Sequence, residues 1–185
     1  MTLLDRFSTI FDKDRRRNRA SAGALYACIV AAARHEHFYR VRGVPDTLDG
    51  RFELLALHVV LVCRRLAAEG PAGAAAGQHL FDVMIEDLDM NLRELGVNDP
   101  SLGRRVKEMA RAFYGRCGAY AAALDGGDRP ALEGAVARNL YGTLDPAPAN
   151  VTWAADYIEA AAGALDRLSL PAVAAADIRF PEPGS

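Results

Sequence analysis

His79, Asp82 and Glu86 stand at i, i+3 and i+7 of a helical pattern, so one helix face presents an imidazole and two carboxylates. Such side chains ligate metals inside helical bundles, where the usual set is a Glu-x-x-His from each of two helices plus glutamates from others. No Glu-x-x-His occurs in this chain. Ion pairing on a solvated face is the simpler use of the three. His58 falls at an interior angle of an apolar helix, where a satisfied core histidine competes with a general base. No cysteine or serine adjoins a histidine or carboxylate in a nucleophile motif, and neither GxxxxGK(S/T) nor a strand-borne GxGxxG is present. Arg104, Arg105, Lys107, Arg111 and Arg116 crowd one helical stretch with Phe113, Tyr114 and Tyr120. Basic charge interleaved with aromatics can hold RNA; alternatively the aromatics are core and the arginines pair with acids of the preceding helix.

The elements that must position these groups are helical. The 185 residues are 51% hydrophobic and 25% charged, the composition of one globular domain with a real core. A net charge of -2 argues against a dominant nucleic-acid footprint, and DNA is not an expected partner. The excess of arginine over lysine reads as a GC-rich, bacterial origin. Cys28, Cys63 and Cys117 are widely spaced within apolar patterns, which reads as free thiols in a reducing compartment. Asp5 and Arg6 speak against a secretory signal at the start of this chain, and Asp5, Asp12 and Asp14 against a mitochondrial presequence. No stretch is long enough for a membrane span.

The fold class expected is all-α: a single-domain bundle of about six to seven helices around a buried central helix. That helix follows the turn Gly43-Val44-Pro45, is capped by Asp46 or Thr47, and carries Leu48, Phe52, Leu55, Val59, Val62 and Leu66 as one stripe. Leu54, Leu57, Val60 and Leu61 make its other side apolar too, which requires neighbours all round. Other helices are expected at about 20–35, 79–95, 101–124, 129–143 and 151–168, with 69–77 as a flexible connector. Gly96 suits the C′ position after the second of these. The domain plan is an amphipathic arm and basic linker at 1–19, a helical domain at 20–168 and a proline-containing tail at 169–185. Residues 3–19 read either as a docking arm with a solvated linker or as an interfacial anchor, with an apolar face in lipid and arginines on anionic head groups.

FYRVRGVPDTLDGRFELLALHVVLVCRRL at 38–66, LFDVMIEDLDMNLRELGVNDPSLGRRVKEMARAFYGR at 80–116 and RNLY at 138–141 together resemble the ubiquinol–cytochrome c chaperone family. The resemblance covers about residues 22–143, with order and spacing kept. It departs near Arg34, where the family pattern tends to carry a proline before the aromatic pair and this chain has His35, Glu36 and His37.

The resemblance implies a helical assembly chaperone and no enzyme, with no cofactor and no metal. Mitochondrial members act with a small partner protein, associate with the ribosome and bind newly made cytochrome b. A bacterial relative would work in the cytoplasm, peripherally at the inner membrane. A chaperone of this kind needs an apolar groove with a polar rim. Carried over from the motifs, the expected partner-binding residues are Phe38, Tyr39, Asp46, Arg51 and His58 from the first block. The second gives Asp82, Asp89, Arg93, Glu94, Asp99, Tyr114 and Arg116, and the third gives Asn139. Residues 38–51 are expected to shape the groove mouth and 54–66 its floor. An RNA or ribosome contact through the arginine clusters and a metal-dependent helical enzyme are the alternatives.

Overall fold

The structure, a computed structural model, describes residues 3–97, 99–142 and 144–184, with side chains from residue 18 onward except those of 99 and 100. Six helices of twelve or more residues and two of five residues make up the described secondary structure, and no strand occurs among those residues. The elements are α1 (Leu3–Ala33), α2 (Glu36–Arg40), α3 (Leu48–Ala67), α4 (Pro71–Glu94), α5 (Asp99–Gly126), α6 (Arg129–Leu140), α7 (Pro148–Asp166) and α8 (Leu170–Ala174).

Helix α3 is the axis of the bundle, as its all-round apolarity requires. It packs against α1, α4, α5, α6 and α7. Leu54, Ala56, Leu57, Val59, Val60, Leu61 and Val62 are all buried. Its start is built by the preceding turn. Gly43 sits at φ 70°, a conformation that costs a side-chain-bearing residue energy. The Oγ1 of Thr47 accepts the Gly50 N–H at 3.1 Å, so Thr47 is the N-cap and Asp46 is not. Gly50 is required by close approach: a β-carbon there would lie 2.0 Å from the Pro45 carbonyl oxygen, which folds over the helix.

Three elements differ from the sequence expectation. The 69–77 segment is no connector. Pro71 takes the first turn of α4, where its missing N–H costs nothing, and the alanines continue the helix. Its glycines serve packing, since a β-carbon on Gly73 would meet the Leu66 carbonyl oxygen at 1.9 Å. Helix α1 runs unbroken through positions 13–19, where a linker was expected; no glycine or proline interrupts Leu3–Ala22. The side chains of 3–17 lie outside the described ones, and with them most of the proposed interfacial face.

The proline-containing tail begins with α8, and the residues after it are packed on the domain. Val173, Ile178 and Pro183 are buried, and Phe180 lies against the His58 ring with centroids 4.8 Å apart. The cysteines are free and partly buried. Gly96 follows α4 at φ 78°, as its position suggested. No described helix is long and apolar enough to cross a membrane.

Candidate functional site

Where α1 ends, α3 begins and α4 ends, the helices leave a groove of about 480 Å³. Its floor is Val30, Ala33, Phe52, Leu55 and Leu88. Leu48 and Leu95 stand at its edge with 38% and 65% of their surface exposed. Leu48 had been assigned to the core stripe of the central helix. Each leucine lies at a helix end, beyond the reach of a covering neighbour, and periodicity along a single helix cannot register that.

The polar rim comes from several elements. Arg34 is supplied by α1, Arg51 by α3, and Asp87, Asn91 and Glu94 by α4. Tyr39 of α2 closes one side, its hydroxyl donating to the Ala33 carbonyl at 3.0 Å. Burial raises the Tyr39 pKa, so the phenol stays protonated and keeps that bond. Arg51 is held by Asp46 at 2.7 Å, and its guanidinium carbon lies 6.0 Å from the Tyr39 ring centroid. The hydrogen bond from Arg51 lowers the Asp46 pKa. The Asp87 carboxylate accepts from the Tyr26 hydroxyl at 2.7 Å.

The expected partner-binding residues divide sharply. Tyr39, Arg51 and Glu94 line the groove, and Asp46 adjoins it through Arg51. Phe38 and His58 are in the interior and present no surface to a partner in this conformation. His58 Nδ1 donates to the Leu54 carbonyl at 2.7 Å, and Nε2 accepts from the Tyr157 hydroxyl at 2.8 Å. The tautomer follows from chemistry, because a carbonyl oxygen can only accept. Desolvation pushes the His58 pKa down to about 4. Phe38, Tyr157 and Phe180 pack around the ring.

The remaining residues lie elsewhere. Asp82 accepts from Gln78 at 2.8 Å and lines a separate cleft with Arg19, His79 and Glu86. Asp89 pairs with Arg93 at 2.8 Å on exposed α4 surface. Tyr114 is 58% exposed and lies tilted against Phe81 with centroids 5.2 Å apart. Arg116 makes a two-pronged, half-buried pair with Glu53. Burial raises the Glu53 pKa while Arg116 pulls it down. Asn139 is hydrogen-bonded to buried Tyr120. The side chain of Asp99 lies outside the described ones.

The two alternative chemistries find little geometry. Glu86 pairs with Arg19 at 2.5 Å, and no three His, Cys, Asp or Glu side chains gather as a metal site among the described residues. On α5, Arg105 pairs with Asp49 at 2.6 Å, Arg104 lies 4.0 Å from Glu108, and Arg116 is taken by Glu53. Arg34, Leu48, Leu55, Leu88, Asn91 and Leu95 had not been singled out as site residues. All but Arg34 lie inside the two longer motif blocks, which was their one signal in the sequence.

A crystal structure titled as the Cbp3 homolog from Brucella abortus superposes with a TM-score of 0.82 at 39% identity, covering 96% of this chain and 98% of that one. The ubiquinol-cytochrome-c reductase complex assembly factor 1 of Xenopus laevis is 26% identical over 150 residues, 81% of this chain and 74% of that protein. The mouse protein of that name is 28% identical over 96 residues, and the matched stretch is about a third of its length (32%). The family model described as ubiquinol-cytochrome C chaperone matches residues 40–180, which span α3 to α8 and every α3 and α4 residue of the groove. The chain belongs to the ubiquinol–cytochrome c chaperone family.

Proposed function

We propose that this protein is an assembly chaperone for the ubiquinol–cytochrome c reductase complex, and that it holds newly made cytochrome b through the α1–α3–α4 groove. The observation that carries this reading is the groove itself. Exposed leucines flank an apolar floor under a charged rim, and the family motifs supply Tyr39, Arg51 and Glu94 to it. Exposed apolar surface beside a polar rim marks a binding face. The protein acts by binding and not by catalysis. It works in the cytoplasm at the inner face of the membrane, with residues 3–19 as a peripheral contact. A small partner protein and the ribosome are further proposed partners.

A photo-crosslinking residue at Leu48 or Leu95, in the native host, tests the client. Cytochrome b is the expected captured chain, and deletion of the protein should lower mature cytochrome b while other respiratory complexes persist. Unchanged cytochrome b in the deletion strain overturns the proposal.

A further inference from the structure

The charges of the groove rim are sorted by element. Arg34 and Arg51 come from α1 and α3, whereas Asp87 and Glu94 come from α4. Asp87 and Arg51 are partly engaged, by Tyr26 and Asp46. Arg34 and Glu94 are exposed and make no ion pair among the described residues. A segment laid over this floor therefore meets a cation on the α1–α3 side and an anion on the α4 side.

A uniformly apolar segment would strip water from both charges and return nothing to either. A segment with one sign of charge would satisfy one side and be repelled by the other. An amphipathic helix satisfies both when its apolar stripe faces the floor and its two flanks carry opposite charge. We infer that the occupant of the groove is an amphipathic helix with leucine-like anchors, an acidic flank toward Arg34 and Arg51, and a basic flank toward Asp87 and Glu94. This rests on the groove reading above and narrows it: the docked segment is an interfacial or loop helix and not a membrane span.

Reversing a helix end for end in the groove exchanges its flanks, so a peptide with swapped flanks is no control. The informative comparison uses three fluorescent helical peptides of about 16 residues. All share one leucine stripe. One carries glutamate on both flanks, one lysine on both, and one glutamate on one flank and lysine on the other. The mixed peptide should bind the full chain about tenfold tighter than either other peptide at low salt, with the advantage fading at high salt. Arg34→Glu with Arg51→Glu makes the rim acidic and should shift preference to the all-lysine peptide. Glu94→Lys should shift it toward the all-glutamate peptide. Both substitutions fall on exposed side chains, so the fold survives them.

Leu48→Asp with Leu95→Asp should abolish binding of all three. Equal affinity for the three peptides, lost in that leucine variant, would keep the groove as a docking site and overturn the charge assignment. No binding at all, or binding indifferent to the leucine variant, would overturn both.

Discussion

Phe38 and Tyr39 are neighbours in the chain and belong to opposite worlds. Phe38 is 1% exposed and joins His58, Tyr157 and Phe180 in a closed aromatic cluster. Tyr39 lines an open groove beside Arg51. Helix α2 is barely one turn, so successive side chains diverge by about 100° and one faces in while the next faces out. The same division runs along α3, whose middle is sealed on all sides while its first turns form the groove wall. One motif block thus makes both the core and the margin. Residues of the first kind should govern stability, and residues of the second kind should govern binding.

The largest expected effect is at the joint between the two regions. Gly50→Ala forces a methyl into the Pro45 carbonyl and should destabilise by about 3 kcal/mol, a fall in Tm on the order of 10 °C by thermal unfolding. A Tm within a degree or two of the parent would show that the turn can lift away at little cost.

Next is the pH dependence of the sealed region. His58 titrates at about 4 when folded against an ordinary value of 6.5, so the unfolded chain takes up the extra proton between those values. Stability from neutral His58 is complete above pH 6.5 and is lost as pH falls toward 4, on the order of 3 kcal/mol in all. His58→Phe should flatten that part of the curve in urea titrations at stepped pH. An unaltered slope would mean that other groups carry it.

Tyr157→Phe removes the donor to His58 Nε2 and leaves a buried acceptor unpaired, for a loss of about 2 kcal/mol in the same titrations. A neutral result would mean that water replaces the hydroxyl. The smallest effect belongs to the open region. Arg51→Ala breaks only an exposed pair and should cost less than about 1 kcal/mol of stability. It should nonetheless weaken crosslinking of the client at Leu48, and a parallel loss of fold would erase the distinction between the two regions.

Much of the fold was legible because helical periodicity is a local property. The central place of α3 followed from apolar residues on every side of it, and the turn before it from Gly43 and Pro45. The cap was narrowed only to Asp46 or Thr47, since the choice depends on which oxygen reaches the Gly50 N–H. The alanine-rich 69–77 stretch misled because its glycines mark close helix packing, and flexible connectors use the same residues. The groove was anticipated as a kind of surface, but of its members only Tyr39, Arg51 and Glu94 were named. Leu48 and Leu95 carry the same spacing as buried leucines, and only the lengths of neighbouring helices decide which are covered. His58 was named for both interior and partner surface; the folded-back tail, with Phe180 on its ring, decided for the interior.

The sequence by itself determined an all-helical chain, its central helix, most helix ends and the family motifs, because each depends on contacts within a few residues. Tertiary structure alone decided which motif residues meet at one groove and which are sealed away. Contacts such as His58 with Tyr157, or Tyr26 with Asp87, join residues far apart in the chain. Their proximity follows from how whole helices pack, a property that no single stretch of sequence encodes.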